Sequence, residues 1–301
     1  MTSLSRLLVL IAALFTLTAA LPAAAEVLPV PSQADWAAAK KTVKLANGIT
    51  LAYVEIGDSA GEPLLLLHGY TDNSRSWSLV APHLTKRRVL ALDLRGHGKS
   101  DAPACCYSFA DFADDAAGFL DAMGIAKADV VGHALGSLVA QMLAAQHPEK
   151  IDKLVLISST LAVGSGPGSW LWDNVMKLSA PIDPNSAFMK DWYANPNPVD
   201  ADFLDRERAE SAAVPLPVWR GVLWGLASGD LTPIAPAVKA PILVLWGEKD
   251  GLFDLAHQER LEKAYPEAEF QVFSGAGHNM FWEYPQKAAS LIEEFLDWQP
   301  Q

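Results

Sequence analysis

From residue 42 the chain alternates apolar and polar positions, breaks at Asn47-Gly48, and alternates again over residues 49–56. Alternation sends successive side chains to opposite faces of a strand, and Asn-Gly between two such runs is a strong hairpin signal. Short runs that are apolar at almost every position follow at 63–67, 89–92, 128–131, 153–157 and 242–246. Strands of that kind are buried on both faces, as in a parallel sheet covered by helices. Residues 109–123 and 138–146 carry apolar side chains at helical spacing, and a further strand is expected around 270–273. Strand and helix in alternation predict βαβ units, so the fold class is α/β: a mixed sheet, antiparallel at its start and parallel after it.

Two stretches depart from this rhythm. Residues 26–41 read as a surface lead-in, because Pro29 and Pro31 oppose regular structure. Residues 161–238 hold no apolar strand, yet contain five of the ten tryptophans: Trp170, Trp172, Trp192, Trp219 and Trp224. A helical insertion between two sheet strands sits over the strands' C-terminal ends, where ligands bind. The same aromatics would equally serve to fasten a small helical subdomain to the core. The expected division is therefore core over 26–160, helical cap over 161–238 and core again over 239–301.

The first 25 residues are a different material. One basic residue, Arg6, precedes an apolar run over 7–21, and Ala23-Ala24-Ala25 supplies a small-residue cleavage site. This is the pattern of a secretory signal, and the run is short of the roughly 20 residues a spanning helix needs. The expectation is a signal peptide over 1–25, a mature chain from Glu26, and an exported, periplasmic or secreted location without stable membrane insertion. The formal net charge of −12 lacks the basic footprint that nucleic acid or an anionic membrane surface requires. The two cysteines, Cys105 and Cys106, are adjacent. Neighbours bridge poorly, and two cannot make a disulfide framework or a tetrahedral zinc site, so they read as small loop residues.

The chemistry gathers at strand ends. The strand at 128–131 runs into Gly132-His133-Ala134-Leu135-Gly136 and then a helix, which is G-x-S-x-G with alanine at its centre. The glycines are needed because an abrupt strand-to-helix turn brings backbone segments too close for side chains. His68-Gly69-Tyr70 follows the strand at 63–67, Asp250 follows the strand at 242–246, and His278 lies in a glycine-rich turn after 270–273. Asp250 could instead be a turn residue with Glu248 in its place, and His278 a loop histidine. His133 reads as packing under the elbow, and His97 as part of a turn shaping the pocket wall or the sheet edge. Gly98-Lys99-Ser100 ends like a phosphate loop, but the glycine that loop requires is Asp93.

Together, His68-Gly69-Tyr70, the run from Asp93 to Ser100, the elbow, Trp246-Gly247-Glu248-Lys249-Asp250 and Gly277-His278 resemble the α/β-hydrolase family over residues 42–298. The resemblance implies a mostly parallel eight-stranded sheet flanked by helices, a helical cap, a small-molecule substrate, and no cofactor or metal. It implies that Asp250 orients His278, that His278 is the general base, and that the Tyr70 and Leu135 N–H groups form an oxyanion hole. It also places a nucleophile, usually serine, where Ala134 stands.

Alanine has no nucleophilic atom, so a covalent path through position 134 is closed. Three explanations stand open. Ala134 could be an engineered replacement of serine. The chain could be an enzyme in which His278 activates water or substrate directly, as the carbamate hydrolases of pyrimidine breakdown, which resemble this chain in their alanine elbow but lack such a leader, suggest. Or it could be a pseudoenzyme that binds a ligand without turnover. Trp77, Trp170 and Trp172 are expected to line an apolar pocket suited to an ester, lactone or carbamate. Haloalkane and epoxide chemistry would need aspartate at 134.

Overall fold

The structure, a computed structural model, describes residues 30–298, so the expected signal lies outside the described residues. Along the chain run α1 (Gln33–Ala39), β1 (Lys41–Lys44), β2 (Thr50–Gly57), β3 (Pro63–Leu67), β4 (Arg88–Leu92), α2 (Phe109–Ala122), β5 (Ala128–His133), α3 (Leu135–Gln146) and β6 (Ile151–Ile157). Four helices follow: α4 (Trp170–Val175), α5 (Ala187–Trp192), α6 (Ala201–Ala212) and α7 (Leu216–Ser228). The chain then returns through β7 (Ile242–Gly247), α8 (Leu255–Ala264), β8 (Glu269–Phe273), α9 (Met280–Glu283) and α10 (Pro285–Asp297).

The eight strands form one sheet in the order β1-β2-β4-β3-β5-β6-β7-β8. β2 is antiparallel to both β1 and β4, and every other pairing is parallel. The apolar runs seen in the sequence occupy the sheet's middle, where Leu64 to Leu67, Val130 and Leu154 to Ile157 are fully buried. The chain crosses from β4 past β3 to β5 and continues outward from there. The loops after β3, β5, β7 and β8 therefore all leave the same edge of the sheet, and strand order reverses between β3 and β5.

The lead-in is not irregular. Ser32 caps α1 by accepting from the Asp35 N–H, and Pro31 stands just outside that cap, where it interrupts nothing. Trp36 then anchors the helix: its ring is buried and its indole N–H donates to Ser74 Oγ at 3.2 Å. The adjacent cysteines also differ from expectation. They are joined to each other in the loop between β4 and α2, where Cys106 adopts a left-handed φ of 75° that turns the backbone between them.

A buried carboxylate fixes the loop after β3. Asp93, at the end of β4, accepts from the Ser74 N–H and the Lys99 N–H, both at 2.8 Å, and pairs with Lys40 Nζ at 2.7 Å. Its two oxygens are thus shared among three segments, which accounts for full burial of the charge. Beside it His68 donates from Nδ1 to the Gly69 carbonyl and accepts the Leu94 N–H at Nε2. His97 packs on the His68 ring at 5.1 Å and is buried, away from the cavity lining, while its turn bonds to β2 through Asp93, Ser100 and Asp101.

Helix α3 lies hard against β3. A Cβ on Gly136 would stand 2.1 Å from the Leu67 carbonyl oxygen, a backbone atom that cannot swing away. Gly136→Ala is expected to lower the unfolding free energy by about 2–3 kcal/mol, the cost of overpacking a rigid contact. Urea unfolding checks this; an unchanged midpoint would show that α3 can shift off β3 freely.

Candidate active site

The turn from β5 into α3 holds Ala134 at φ 46° and ψ −113°, a left-handed conformation that non-glycine residues rarely adopt. Its N–H donates to the Ile157 carbonyl on the neighbouring strand at 3.0 Å. Its carbonyl accepts from Ser137 Oγ at 2.6 Å and the Leu138 N–H at 3.2 Å. The methyl group of Ala134 consequently faces the cavity above the sheet. Leu135, one residue on, opens α3 and carries one of the first-turn N–H groups that have no partner within a helix.

Asp250 follows β7 in a tight turn. Its Oδ1 accepts the Leu252 and Phe253 N–H groups at 2.8 and 3.0 Å, which locks the carboxylate. His278 Nδ1 donates to that same carboxylate, 2.9 Å from Oδ1 and 2.8 Å from Oδ2. Nε2 is thereby left as the nitrogen able to take a proton. The ring stands edge-on to Phe253 at 5.2 Å, and the His278 carbonyl accepts from Ser158 Oγ at 2.6 Å and from His133 Nε2–H at 3.2 Å. Gly247 permits the meeting of the two loops, since a Cβ there would fall 2.1 Å from the Gly277 carbonyl oxygen. Glu248 is spoken for elsewhere, accepting from Ser274 Oγ and the Gly275 N–H on the exposed side of its turn.

Around Ala134 and His278 lies a cavity of about 680 Å³. Gly69, Tyr70 and Leu135 line it on the sheet side, and Trp170, Trp192, Tyr193 and Trp282 supply aromatic walls. Two expected wall residues are elsewhere. Trp77 is fully buried against the Phe281 ring at 4.9 Å, below the loop rather than above it. Trp172 turns inward and meets Trp224 edge-on at 4.6 Å, while Trp170 faces the cavity. Two residues apart on a helix, the two indoles point to nearly opposite sides, so they could not both line one wall. Trp192 supplies the second indole, donating from Nε1 to Thr71 Oγ1 at 3.2 Å.

His133 does pack under the elbow, and it also touches the cavity. Burial, then the nearby His278, holds its basicity well below the usual imidazole range, so it stays neutral. The serines near the elbow are engaged: Ser137 Oγ donates to the Ala134 carbonyl and bonds Ser159 Oγ at 2.7 Å.

The sequence reading missed Asp72. It is buried, it lines the cavity, and its Oδ1 accepts from Tyr193 Oη at 2.8 Å. Burial pushes this carboxyl up to about 7, against the Tyr193 hydrogen bond, the charge of His278 and the Gly69 N–H, which pull it down. An acid two residues past Tyr70, in a loop between two apolar segments, was the one available signal. Nothing in the sequence singles out Tyr193.

This sheet with its strand-to-helix elbow and its Asp–His pair at the strands' C-terminal edge defines the α/β-hydrolase class. Residues 62–236 and 168–285 match the family described as alpha/beta hydrolase fold, and the chain belongs to that family. It is 32% identical over 260 residues to 2-hydroxymuconate semialdehyde hydrolase of Pseudomonas sp. (strain CF600), covering 79% of this chain and 87% of that one. It is 30% identical over 272 residues to 2-(acetamidomethylene)succinate hydrolase of Mesorhizobium japonicum, covering 83% and 92%. The crystal structure of a hydrolase from Pseudomonas aeruginosa PA01 is similar at a TM-score of 0.76 and 25% identity, over 86% of this chain and 98% of that one.

The buried Asp72 carboxyl makes stability depend on pH. Its folded value of about 7 exceeds the unfolded value near 3.8, so the folded state holds the extra proton between them. Stability therefore falls as pH rises through that window. Replacing Asp72 by neutral Asn removes the penalty, so the stability difference Asp72→Asn minus wild type should rise between pH 5 and pH 8, by on the order of 2 kcal/mol. Urea titrations at the two pH values measure it; a pH-independent difference would mean that Asp72 ionises normally.

Proposed function

We propose that this chain is a hydrolase of small apolar carbonyl compounds, an ester, lactone or carbamate, that works without a covalent intermediate. The observation that carries the reading is the intact His278–Asp250 pair, bonded at 2.8 Å, beside an elbow whose residue 134 has no nucleophilic atom. In this scheme Asp250 holds the ring and stabilises the imidazolium, while His278 Nε2 takes a proton from water as its oxygen attacks the carbonyl carbon. The Tyr70 and Leu135 N–H groups receive the oxyanion, and the N-terminus of α3 adds its dipole at the second. Trp170, Trp192 and Trp282 favour an apolar or aromatic acyl or alcohol group. Relatives named as hydrolases of 2-hydroxymuconate semialdehyde and of 2-(acetamidomethylene)succinate support hydrolysis and leave this chain's own substrate to its cavity.

A second reading follows from Ala134 alone: the same cavity could hold an apolar ligand without turning it over. Hydrolysis of 4-nitrophenyl acetate separates the two. The alanine protein should turn it over, and His278→Ala should lower kcat/KM by about 10²–10⁴-fold. Absence of turnover together with ligand binding would favour the binding protein. Ala134→Ser is expected to raise ester hydrolysis by at least about a hundredfold, because base, orienting carboxylate and oxyanion donors are in place. A folded Ala134→Ser protein with no gain would refute the assigned pair.

Export belongs to the same reading. With the leader of residues 1–25 removed, the mature chain should begin at Glu26, as N-terminal sequencing of protein recovered outside the cytoplasm would show. Recovery of intact chain starting at Met1 from the cytoplasm would contradict it.

A further inference from the structure

Among the described residues two acids line the cavity, Asp72 and Asp191; Asp72 is the buried one, and the hydrolytic scheme leaves it unused. It stands on the loop after β3, two residues beyond Tyr70, and the little surface it exposes faces the cavity that His278 also lines. Tyr193, in the segment after α5, donates to Oδ1 at 2.8 Å. Oδ2 lies beside Gly69: a Cβ on that glycine would be 2.9 Å from Oδ2 and 2.8 Å from His133 Nδ1. The basic side chains of this corner are engaged with other acids, Lys40 with Asp93 and Arg75 with Glu207 and Glu210. A carboxyl so placed is oriented by a hydroxyl yet neutralised by none of those cations.

The missing serine makes such a group useful. In a serine hydrolase the histidine takes the nucleophile's proton and hands it to the leaving group, with the acyl-enzyme separating the two attacks. In a direct attack by water His278 holds water's proton while the tetrahedral carbon collapses, and a second acid on the cavity wall can protonate the leaving oxygen. Two groups with environments of opposite kind divide the work.

We infer that Asp72 is a second catalytic residue, the general acid that protonates the leaving oxygen opposite the His278 base, with Tyr193 as its positioning residue. The inference rests on the hydrolytic reading above. Water's oxygen forms a bond to the carbonyl carbon, its proton passes to His278 Nε2, and the carbonyl π pair moves onto the oxygen held by the two amides. On collapse the bond from carbon to the leaving oxygen breaks, and that oxygen takes the Asp72 carboxyl proton. The imidazolium then returns its proton to the Asp72 carboxylate through solvent, so that one ester and one water become one acid and one alcohol.

The groups facing Asp72 are Tyr193 from the cap, Glu207 from α6, His133 from β5 and His278 from the loop after β8. Burial, and after it Asp72 itself, pushes the Glu207 carboxyl up, while His133 is kept neutral by burial. Burial is thus the main influence keeping Asp72 protonated to about pH 7, where a donor is needed.

The test compares benzyl acetate, whose alcohol leaves only with a proton, and 4-nitrophenyl acetate, whose phenolate leaves without one. With the mature protein, Asp72→Asn should cut kcat/KM on benzyl acetate by about a hundredfold and on 4-nitrophenyl acetate by about threefold at most. The benzyl acetate profile of the unsubstituted protein should fall on an alkaline limb near pH 7, and that limb should vanish in Asp72→Asn. Tyr193→Phe removes a hydrogen bond that both orients the carboxyl and favours its anion, so the limb should move to higher pH while kcat/KM falls more on benzyl acetate than on 4-nitrophenyl acetate. Equal losses on both esters, or a limb that survives in Asp72→Asn, would overturn the assignment of Asp72 and leave the hydrolytic reading standing. A protein silent on both esters would overturn the two together.

Discussion

Everything at the cavity is referred to one strained turn. Residue 134 sits at φ 46° because β5 and α3 meet there with no room for a gentler connection. Gly136 touches the Leu67 carbonyl, and the Ala134 N–H is tied to Ile157 on the next strand. Such a conformation costs about 1–3 kcal/mol in a non-glycine residue and persists only where its surroundings over-determine it. The turn aims the first N–H of α3 and the side chain of residue 134 into the same space. The ties that hold the turn run through backbone atoms and Gly136 rather than through the methyl group of Ala134.

The cap is fastened to the other arm of the site. Pro196 packs on Gly277 so closely that a Cβ there would lie 2.5 Å from its ring. Asn197 donates to the Gly275 carbonyl at 2.8 Å and also to Glu283, whose other oxygen accepts the Gly277 N–H at 2.9 Å. Trp282 stacks almost parallel to Tyr193 at 6.1 Å and donates to the Ser76 carbonyl in the loop after β3. One small cluster therefore couples the loop that carries His278, the cap segment that carries Tyr193, and the loop that carries Asp72. Geometry in the cavity depends on the cap staying seated, because His278 has its neighbouring glycine clamped by a cap residue.

The sheet was legible because its signals are local and redundant. Apolar runs such as 63–67 match their strand to the residue, and Asn47-Gly48 marks the antiparallel hairpin where β1 and β2 pair. Ala134, Asp250 and His278 were legible for a related reason: each follows a strand end, so the topology alone brings them together. What failed to show was orientation. Trp170 and Trp172 look alike in a sequence, and only helical phase separates the one at the cavity from the one on Trp224. Helix α1 was obscured because Pro31 reads as a breaker until the Ser32 cap places it outside the helix. Asp72 was invisible as an acid of unusual character, since the burial that raises it is made by the folded chain and its hydrogen-bond partner Tyr193 is 121 positions away.

Asp72 and Asp250 stand in contrasting surroundings, although both lie near His278. Asp250 is met by two backbone N–H groups and an imidazole, three donors that hold the carboxylate in place. Asp72 receives one phenolic hydroxyl and one backbone N–H, and the cations of its corner are drawn off to Asp93, Glu207 and Glu210. Dehydration with little compensation favours the protonated acid, and this is what raises the Asp72 carboxyl. The difference follows from which loop each residue occupies. The turn after β7 curls its own amides onto Asp250, whereas the loop after β3 aims Tyr70 at the cavity and leaves Asp72 to the cap. These contrasting surroundings are made by the loops after β3 and β7 and by Tyr193, none of which uses the side chain at position 134.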